Sequence, residues 1–333
     1  MSYLVDSLLP ADDVHVAVGD SGIGKTPWAY QLGICVAAGV PFCGYSVKQG
    51  PVLYFDYENE RDQKVALGRA LCNHLGLSGY PSNFYVLSDT DDPGKIEDAI
   101  KHFQPALVII DTLYSSDPNA MKNDGGSLLA KLLKTCRAIA RKNHCAILLV
   151  HHVRKDNSNA PTPSLANTKT LTWLQEASGY RILINLTHTR FALTEPPTRG
   201  PGNDAALVMK VHVKLRGELG PFYLERVCDE EGDAAGYRVM SGVDLLGDPD
   251  QQDAYKALPP TFRFKDAKQT YGKSDHPTSL WLTKLRGLGL VEKTAKDYRK
   301  TVGPELTTAT QTKPNNPYDI PEAEELEATE VTV

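Results

Sequence analysis

Two rhythms of hydrophobic and polar positions succeed one another along this chain. His15-Val16-Ala17-Val18 alternates like a short strand, and Trp28 to Ala38 carries helical spacing with few breakers. Gly39-Val40-Pro41-Phe42 interrupts the chain before Val52-Leu53-Tyr54-Phe55, an apolar run of buried-strand type. Arg61 to Leu75 is amphipathic at helical spacing, Phe84 to Leu87 is a short strand, and Glu97 to Phe103 is helical. Pro105 then leads into Ala106-Leu107-Val108-Ile109-Ile110-Asp111, Leu128 to Lys142 is a basic amphipathic helix, and Cys145 to Val150 is another buried strand. Arg181-Ile182-Leu183-Ile184-Asn185-Leu186 reads as a further strand, opened by Arg181. Strands alternating with helices predict an α/β fold with a mainly parallel central sheet. Leu4 to Pro10 leads into the first strand, either beside a ligand or as a plain lead-in. Ser116 to Gly126 and Thr187 to Asp204 are polar, the second insertion-like.

Composition narrows the class. Of 333 residues, 41% are hydrophobic and 23% charged, as in a soluble globular protein. A net charge of −5 argues against nucleic-acid binding over the whole surface, so any such contact must be a local patch. Six cysteines (Cys35, Cys43, Cys72, Cys136, Cys145 and Cys228) make no metal or redox spacing and read as reduced thiols. With no leader pattern and no membrane-length apolar run, a cytoplasmic location away from membranes is expected.

Chemistry concentrates at the strand ends. Gly19-Asp20-Ser21-Gly22-Ile23-Gly24-Lys25-Thr26 reads G-x-x-x-x-G-K-T between a strand and a helix. Such a loop turns backbone N–H groups around phosphates, and the helix dipole favours the anion. Lys25 reaches the β and γ phosphates and the Thr26 hydroxyl ligates magnesium, so ATP and Mg2+ are expected. Pro27 is unusual there but is tolerated in a first helical turn. Carboxylates follow the Val52–Phe55 run, at the sheet edge where ligands bind. Glu58 is the preferred candidate to polarise an attacking water, with Glu60 and Asp56 as rivals and helix capping by Asp56 or Asn59 as the plain alternative. Asp111 ends its strand as a magnesium-shell carboxylate. His151 and His152 end another strand; neighbours there face opposite ways, so they do not make one metal site, and one of them reads as a γ-phosphate sensor.

The succession G-x-x-x-x-G-K-T, F-D-x-E, I-I-D-T and H-H-V-R-K, over residues 3 to 226, resembles the RecA-like P-loop ATPases. It is most similar to the branch of RepA-type hexameric replicative helicases. The resemblance implies a RecA-like core in a hexameric ring acting on DNA. It implies Glu58 as catalytic base and His152 as sensor, His151 being the weaker candidate. It puts Arg181 where that family carries an arginine finger, and Lys214 and Arg216 in the basic element that enters the neighbouring subunit's site. A structural arginine and an exposed hairpin are the respective alternatives. Val153 to Leu174, with Lys155 and Lys169, matches the pore loop that holds single-stranded DNA, an ordinary surface loop being the alternative.

Beyond a linker at Leu246 to Asp250, Gln252 to Leu258 and Phe264 to Tyr271 are short helices. His276 to Leu288 is a longer one after capping residues Ser274 and Asp275. Its apolar positions are Leu280, Leu282, Leu285 and Leu288, with Lys284 and Arg286 on other faces. Gly287 to Lys293 turns into Asp297 to Thr301, and the whole looks like a winged helix-turn-helix. From Tyr255 to Lys300 eleven basic side chains face four acidic ones, a net +7, which leaves −12 on the rest of the −5 chain. Lys284, Arg286, Arg299 and Lys300 are the candidate contacts to duplex DNA, protein interaction being the alternative use. The expected domains are 1–245, 246–302 and a disordered acidic tail, 303–333.

Overall fold

The structure, a computed structural model, describes residues 2–87, 93–113, 125–153, 165, 168–177, 181–195, 205–228 and 234–301. Lys155, most of the expected polar loop at 116–126 and the tail expected at 303–333 lie outside the described residues.

A small hairpin of β1 (Tyr3–Val5) and β2 (Leu9–Pro10) precedes β3 (Val14–Gly19), which feeds α1 (Lys25–Ala38). Next come β4 (Val52–Asp56), α2 (Arg61–His74), β5 (Phe84–Leu87), α3 (Pro93–Phe103), β6 (Leu107–Asp111), α4 (Gly125–Asn143) and β7 (Ala146–His152). Two shorter helices, α5 (Thr170–Ala177) and α6 (Arg181–Leu186), lead to β8 (Thr189–Thr194), β9 (Ala205–Val213), β10 (Gly217–Cys228) and β11 (Ala234–Met240).

Nine strands form one sheet in the order β11-β10-β9-β8-β3-β7-β6-β4-β5. From β8 to β5 every pairing is parallel, whereas β8–β9, β9–β10 and β10–β11 are antiparallel. Each residue of β3, β4 and β6 is buried, as befits parallel strands covered on both faces. The strand carrying Asp111 does not adjoin β3: β7 lies between them and brings its own end, His152, to the same edge.

Every residue of α1 from Trp28 to Ala37 is buried, a helix apolar all round and enclosed on all sides. On the sheet side Gly33 allows the close approach, because a Cβ there would stand 2.7 Å from Phe84. On the other side the antiparallel strands return over the helix. Gln31 fastens them, its Nε2 donating to the Tyr237 carbonyl at 2.8 Å and its Oε1 accepting the Tyr237 N–H at 2.7 Å.

Two expectations in this region are corrected. Arg181 to Leu186 is the helix α6, not a strand. Its closing carbonyls have dedicated donors: the Thr187 hydroxyl bonds Leu183 O at 2.9 Å, and the Arg190 guanidinium bonds Ile184 O and Thr187 O, both at 2.6 Å. Local capping outweighs the strand preference of Ile182 and Ile184. The first part of the stretch expected as insertion-like, Thr187 to Asp204, belongs to the sheet, since β8 pairs directly with β3 and is buried from Thr189 to Leu193; residues 196–204 lie outside the described residues.

After a turn at Asp244–Leu246 come α7 (Pro249–Ala257), β12 (Thr261–Phe262), α8 (Phe264–Tyr271), α9 (Asp275–Gly287), β13 (Val291–Lys293) and β14 (Tyr298–Lys300). The three strands pair antiparallel in the order β12-β14-β13. On α9 the buried positions are Thr278, Trp281, Leu282 and Leu285, the i, i+3, i+4, i+7 set of one face. Leu280, expected in the core, is 58% exposed because Trp281 takes the inward direction. Within this region Tyr255 OH donates to Leu290 O at 3.2 Å, and Lys284 Nζ ties α9 to the preceding turn by donating to Leu246 O at 2.5 Å.

Candidate nucleotide site

The loop between β3 and α1 needs its glycines for identifiable reasons. Gly24 has a φ of 97°, and a Cβ there would stand 1.8 Å from the Tyr237 hydroxyl. That hydroxyl donates to Gly24 O at 3.1 Å, so β11 braces the loop. Lys25 is buried, its Nζ donating to Asp20 O at 2.6 Å across the loop. Burial lowers its pKa, against the nearby charges of Asp111, Glu58 and Asp20, which favour the ammonium. Pro27 falls in the first turn of α1, where its missing N–H costs no helical bond.

At the end of β4, Asp56 organises the chain that carries Glu58. Its Oδ1 accepts the backbone N–H groups of Glu58 (3.1 Å) and Asn59 (3.0 Å), and its Oδ2 accepts the Tyr30 hydroxyl at 2.9 Å. Glu60 is engaged in the capping box that opens α2, Gln63 Oε1 accepting its N–H at 3.1 Å. Both rivals are thus occupied in shaping the loop. Glu58 turns inward, where its Oε1 accepts the Thr112 hydroxyl at 2.9 Å.

Asp111 lies at the neighbouring strand end, fully buried. Oδ2 accepts the Tyr54 hydroxyl at 2.7 Å, whereas Oδ1 has no partner within hydrogen-bond distance. Burial raises its pKa to about 6, while the Tyr54 and Thr26 hydroxyls facing the carboxylate pull it down. A buried carboxylate oxygen left over beside a hydroxyl suits a hard divalent cation, so Asp111 and Thr26 fit a magnesium ion whose other ligands are phosphate and water. Among the described residues no group of three or more His, Cys, Asp and Glu could hold a metal by itself.

His152 joins the two halves. Its Nδ1 is 3.1 Å from Lys25 Nζ and its Nε2 is 3.2 Å from Glu58 Oε1. An ammonium only donates, so Nδ1 accepts, and Nε2 carries the proton that it gives to Glu58. His151, its neighbour on β7, is buried.

The other candidates stand apart from this cluster. Arg181 is exposed at the first position of α6. Lys214 and Arg216 flank Leu215 in the exposed β9–β10 turn, and the Arg216 guanidinium lies 5.2 Å above the Tyr3 ring. Lys169 is exposed just before α5. In the C-terminal region Arg286 and Arg299 are exposed, but Lys284 is turned to Leu246 O and Lys300 lies 4.8 Å over the Tyr255 ring.

Sequence reasoning overlooked Thr112, Tyr54, Tyr30, Gln31 and Tyr237. Only Thr112 carried a signal, as the hydroxyl residue directly after Asp111 at a strand end. Five of the six cysteines are buried and Cys228 is exposed, and burial pushes the Cys43 and Cys136 thiols up to about 12. Among the described residues no helix is long and apolar enough to cross a membrane.

Residues 1–158 match a family model described as an AAA domain. The chain is 31% identical over 148 residues to the DNA repair protein RadA of Halalkalibacterium halodurans, a match covering 43% of this chain and 28% of that protein. The chain thus spans little more than a quarter of that relative's length. A KaiC-like protein from Pyrococcus horikoshii superposes with a TM-score of 0.46 at 13% identity, over 72% of this chain and 94% of that one. Over residues 1–158, the segment that holds the loop between β3 and α1, the chain is thus similar to an AAA-type ATPase domain.

Proposed function

We propose that this chain is an ATP-driven DNA motor of the RepA-like hexameric helicase kind, acting as a ring with sites between subunits. The observation that carries the catalytic reading is the chain of contacts from Lys25 through His152 to Glu58 and Thr112. Lys25 and Glu58 lie on one hydrogen-bonded line, which supports reading them as a phosphate-binding cation and a general base. In this reading Lys25 and the loop amides hold the triphosphate, and Glu58 takes a proton from the attacking water. His152 exchanges its contact with Lys25 for one to the γ-phosphate. Thr26 and Asp111 would hold a magnesium ion, which when bound would supply charge neutralisation on the phosphates. The transition state then still lacks an external cation, and Arg181, Lys214 or Arg216 of a neighbouring copy provides it.

The DNA part of the reading has two supports. The RadA relative is a DNA repair protein by description. The region after residue 245 has three helices and a three-stranded sheet in an order that supports reading it as a winged helix, with Arg286 and Arg299 exposed and a net charge of +7 from Tyr255 to Lys300. We read 1–245 as the ATPase domain and 246–302 as a duplex-contacting winged helix.

The test is ATP turnover and unwinding of a forked duplex by the full chain. ATP-dependent unwinding supports the motor. Turnover stimulated by DNA without unwinding favours the second reading, a nucleotide-gated DNA-binding switch, and turnover indifferent to DNA removes both.

A further inference from the structure

The segment just ahead of α5 is gripped on both sides of a single exposed lysine. Lys210 Nζ, from β9, donates to the Thr168 carbonyl at 3.1 Å. Glu218 Oε1, from β10, accepts the Thr170 N–H at 2.9 Å and the Thr170 hydroxyl at 2.5 Å. Nζ and Oε1 of the two side chains are 3.5 Å apart. Lys210 and Thr170 are buried, and Glu218 keeps a third of its side chain exposed. Lys169, between the two gripped residues, projects to solvent.

Both gripping residues belong to one hairpin. Glu218 stands opposite His212, and Gly217 opposite Val213, so the turn between the strands carries Lys214 four residues from each clamp residue and Arg216 two residues from Glu218. Burying an ammonium is costly without a partner, and this one has a carboxylate and a carbonyl together. The bonds to Thr168 and Thr170 reach across chain segments more than forty residues apart. A shift of Lys169 therefore cannot occur without moving the hairpin or breaking these bonds.

We propose that Lys210 and Glu218 are positioning residues that tie the nucleic-acid contact at Lys169 to the basic hairpin turn, so that strand binding is felt at the neighbouring subunit's ATP site. The inference rests on the reading of Lys169 as a phosphate contact and of Lys214 and Arg216 as cations acting in trans. Neither clamp residue touches substrate; each acts through the segment it holds. Glu218→Gln preserves the shape and one acceptor oxygen but removes the charge that holds Lys210. Lys210→Met removes the other half and leaves Glu218 partly in water.

The experiment measures ATP turnover of the full chain with and without a thymidine oligonucleotide, for wild type, both variants and Lys169→Ala. The expected result is a DNA-stimulation ratio that falls to near one in both clamp variants while the basal rate changes less than threefold. A purely structural role would lower both rates alike. Stimulation ratios equal to wild type in both variants, each folded by circular dichroism, would overturn the inference while leaving the DNA reading intact. If the wild type neither binds the oligonucleotide nor responds to it, the DNA reading fails on its own. The clamp is then decided by amide exchange across 168–177 with and without an ATP analogue. Protection that the analogue alters in wild type but not in Glu218→Gln supports the coupling, and an identical response in both, or none in wild type, overturns it.

Discussion

Nε2 of His152 lies 3.2 Å from Oε1 of Glu58, and the other ring nitrogen is 3.1 Å from Lys25 Nζ. The imidazole therefore lies between the lysine of the loop ahead of α1 and the carboxylate that we propose as general base. In that proposal a triphosphate entering the loop competes for Lys25, and the same movement frees the histidine ring to report on the terminal phosphate.

Lys25→Ala should abolish both tight nucleotide binding and turnover. Glu58→Gln should bind nucleotide almost as wild type and lose a factor of about 10² to 10⁴ in turnover, the range of a general base. Fluorescent-nucleotide titration and phosphate release separate the two. A Glu58→Gln protein that hydrolyses ATP at the wild-type rate would move the role to another group.

Thr112→Val keeps the size of the side chain but withdraws the hydroxyl that holds Glu58 at 2.9 Å. A carboxylate held by one bond fewer spends less time aligned, so kcat should fall about tenfold with little change in KM; an ordinary hydrogen bond is worth about 1 kcal/mol. Steady-state kinetics on the variant check the split, and an unchanged kcat would show that Glu58 needs no such support.

A mixing experiment tests catalysis between subunits. Glu58→Gln protein and a triple alanine variant at Arg181, Lys214 and Arg216 should each be inactive alone, since a trans cation contributes about 10³ to 10⁵ in rate. Mixed rings contain sites with an intact Glu58 facing an intact cation, so activity should return. Normal turnover by the triple variant alone would leave no role for a neighbour's cation.

The packing of α9 gives a stability contrast. Trp281 is 2% exposed and its replacement by alanine should cost about 3 to 5 kcal/mol. Leu280, next in sequence and 58% exposed, should tolerate alanine within about 0.5 kcal/mol. Urea unfolding of the two variants measures the difference, and equal losses would contradict the inward direction assigned to Trp281.

Acid sensitivity should come in part from His15. Burial lowers its pKa from 6.5 to about 3, with His188 and Arg137 disfavouring the cation and Asp13 favouring it. The folded state therefore holds the neutral ring while the unfolded chain takes up a proton below 6.5. Stability is full above that pH and falls as pH drops toward 3, by about 1.4 kcal/mol per pH unit from this group. Unfolding free energies at pH 7, 6 and 5 should fall more steeply for wild type than for His15→Gln.

Much of this molecule follows from its residues alone. A phosphate loop is a local object: Gly19 to Thr26 and the strand and helix around it make it together, so spacing suffices to find it. The strand ends at Asp111 and His152 are legible for the same reason, because an apolar run that stops at a polar residue marks a sheet edge. Tertiary structure decided what no short window contains. The capping box of α2 engages Glu60 and the Tyr30 hydroxyl engages Asp56, whereas Glu58 faces Thr112 and His152. Arg181 to Leu186 has strand-like residues, yet becomes a helix because Arg190, on the next strand, satisfies its carbonyls. Tyr237 reaches Gly24 from more than two hundred residues away because the antiparallel strands fold back over α1. Periodicity records which way a residue faces within its own element, and such meetings depend on how the elements pack, which is why only the folded chain reveals them.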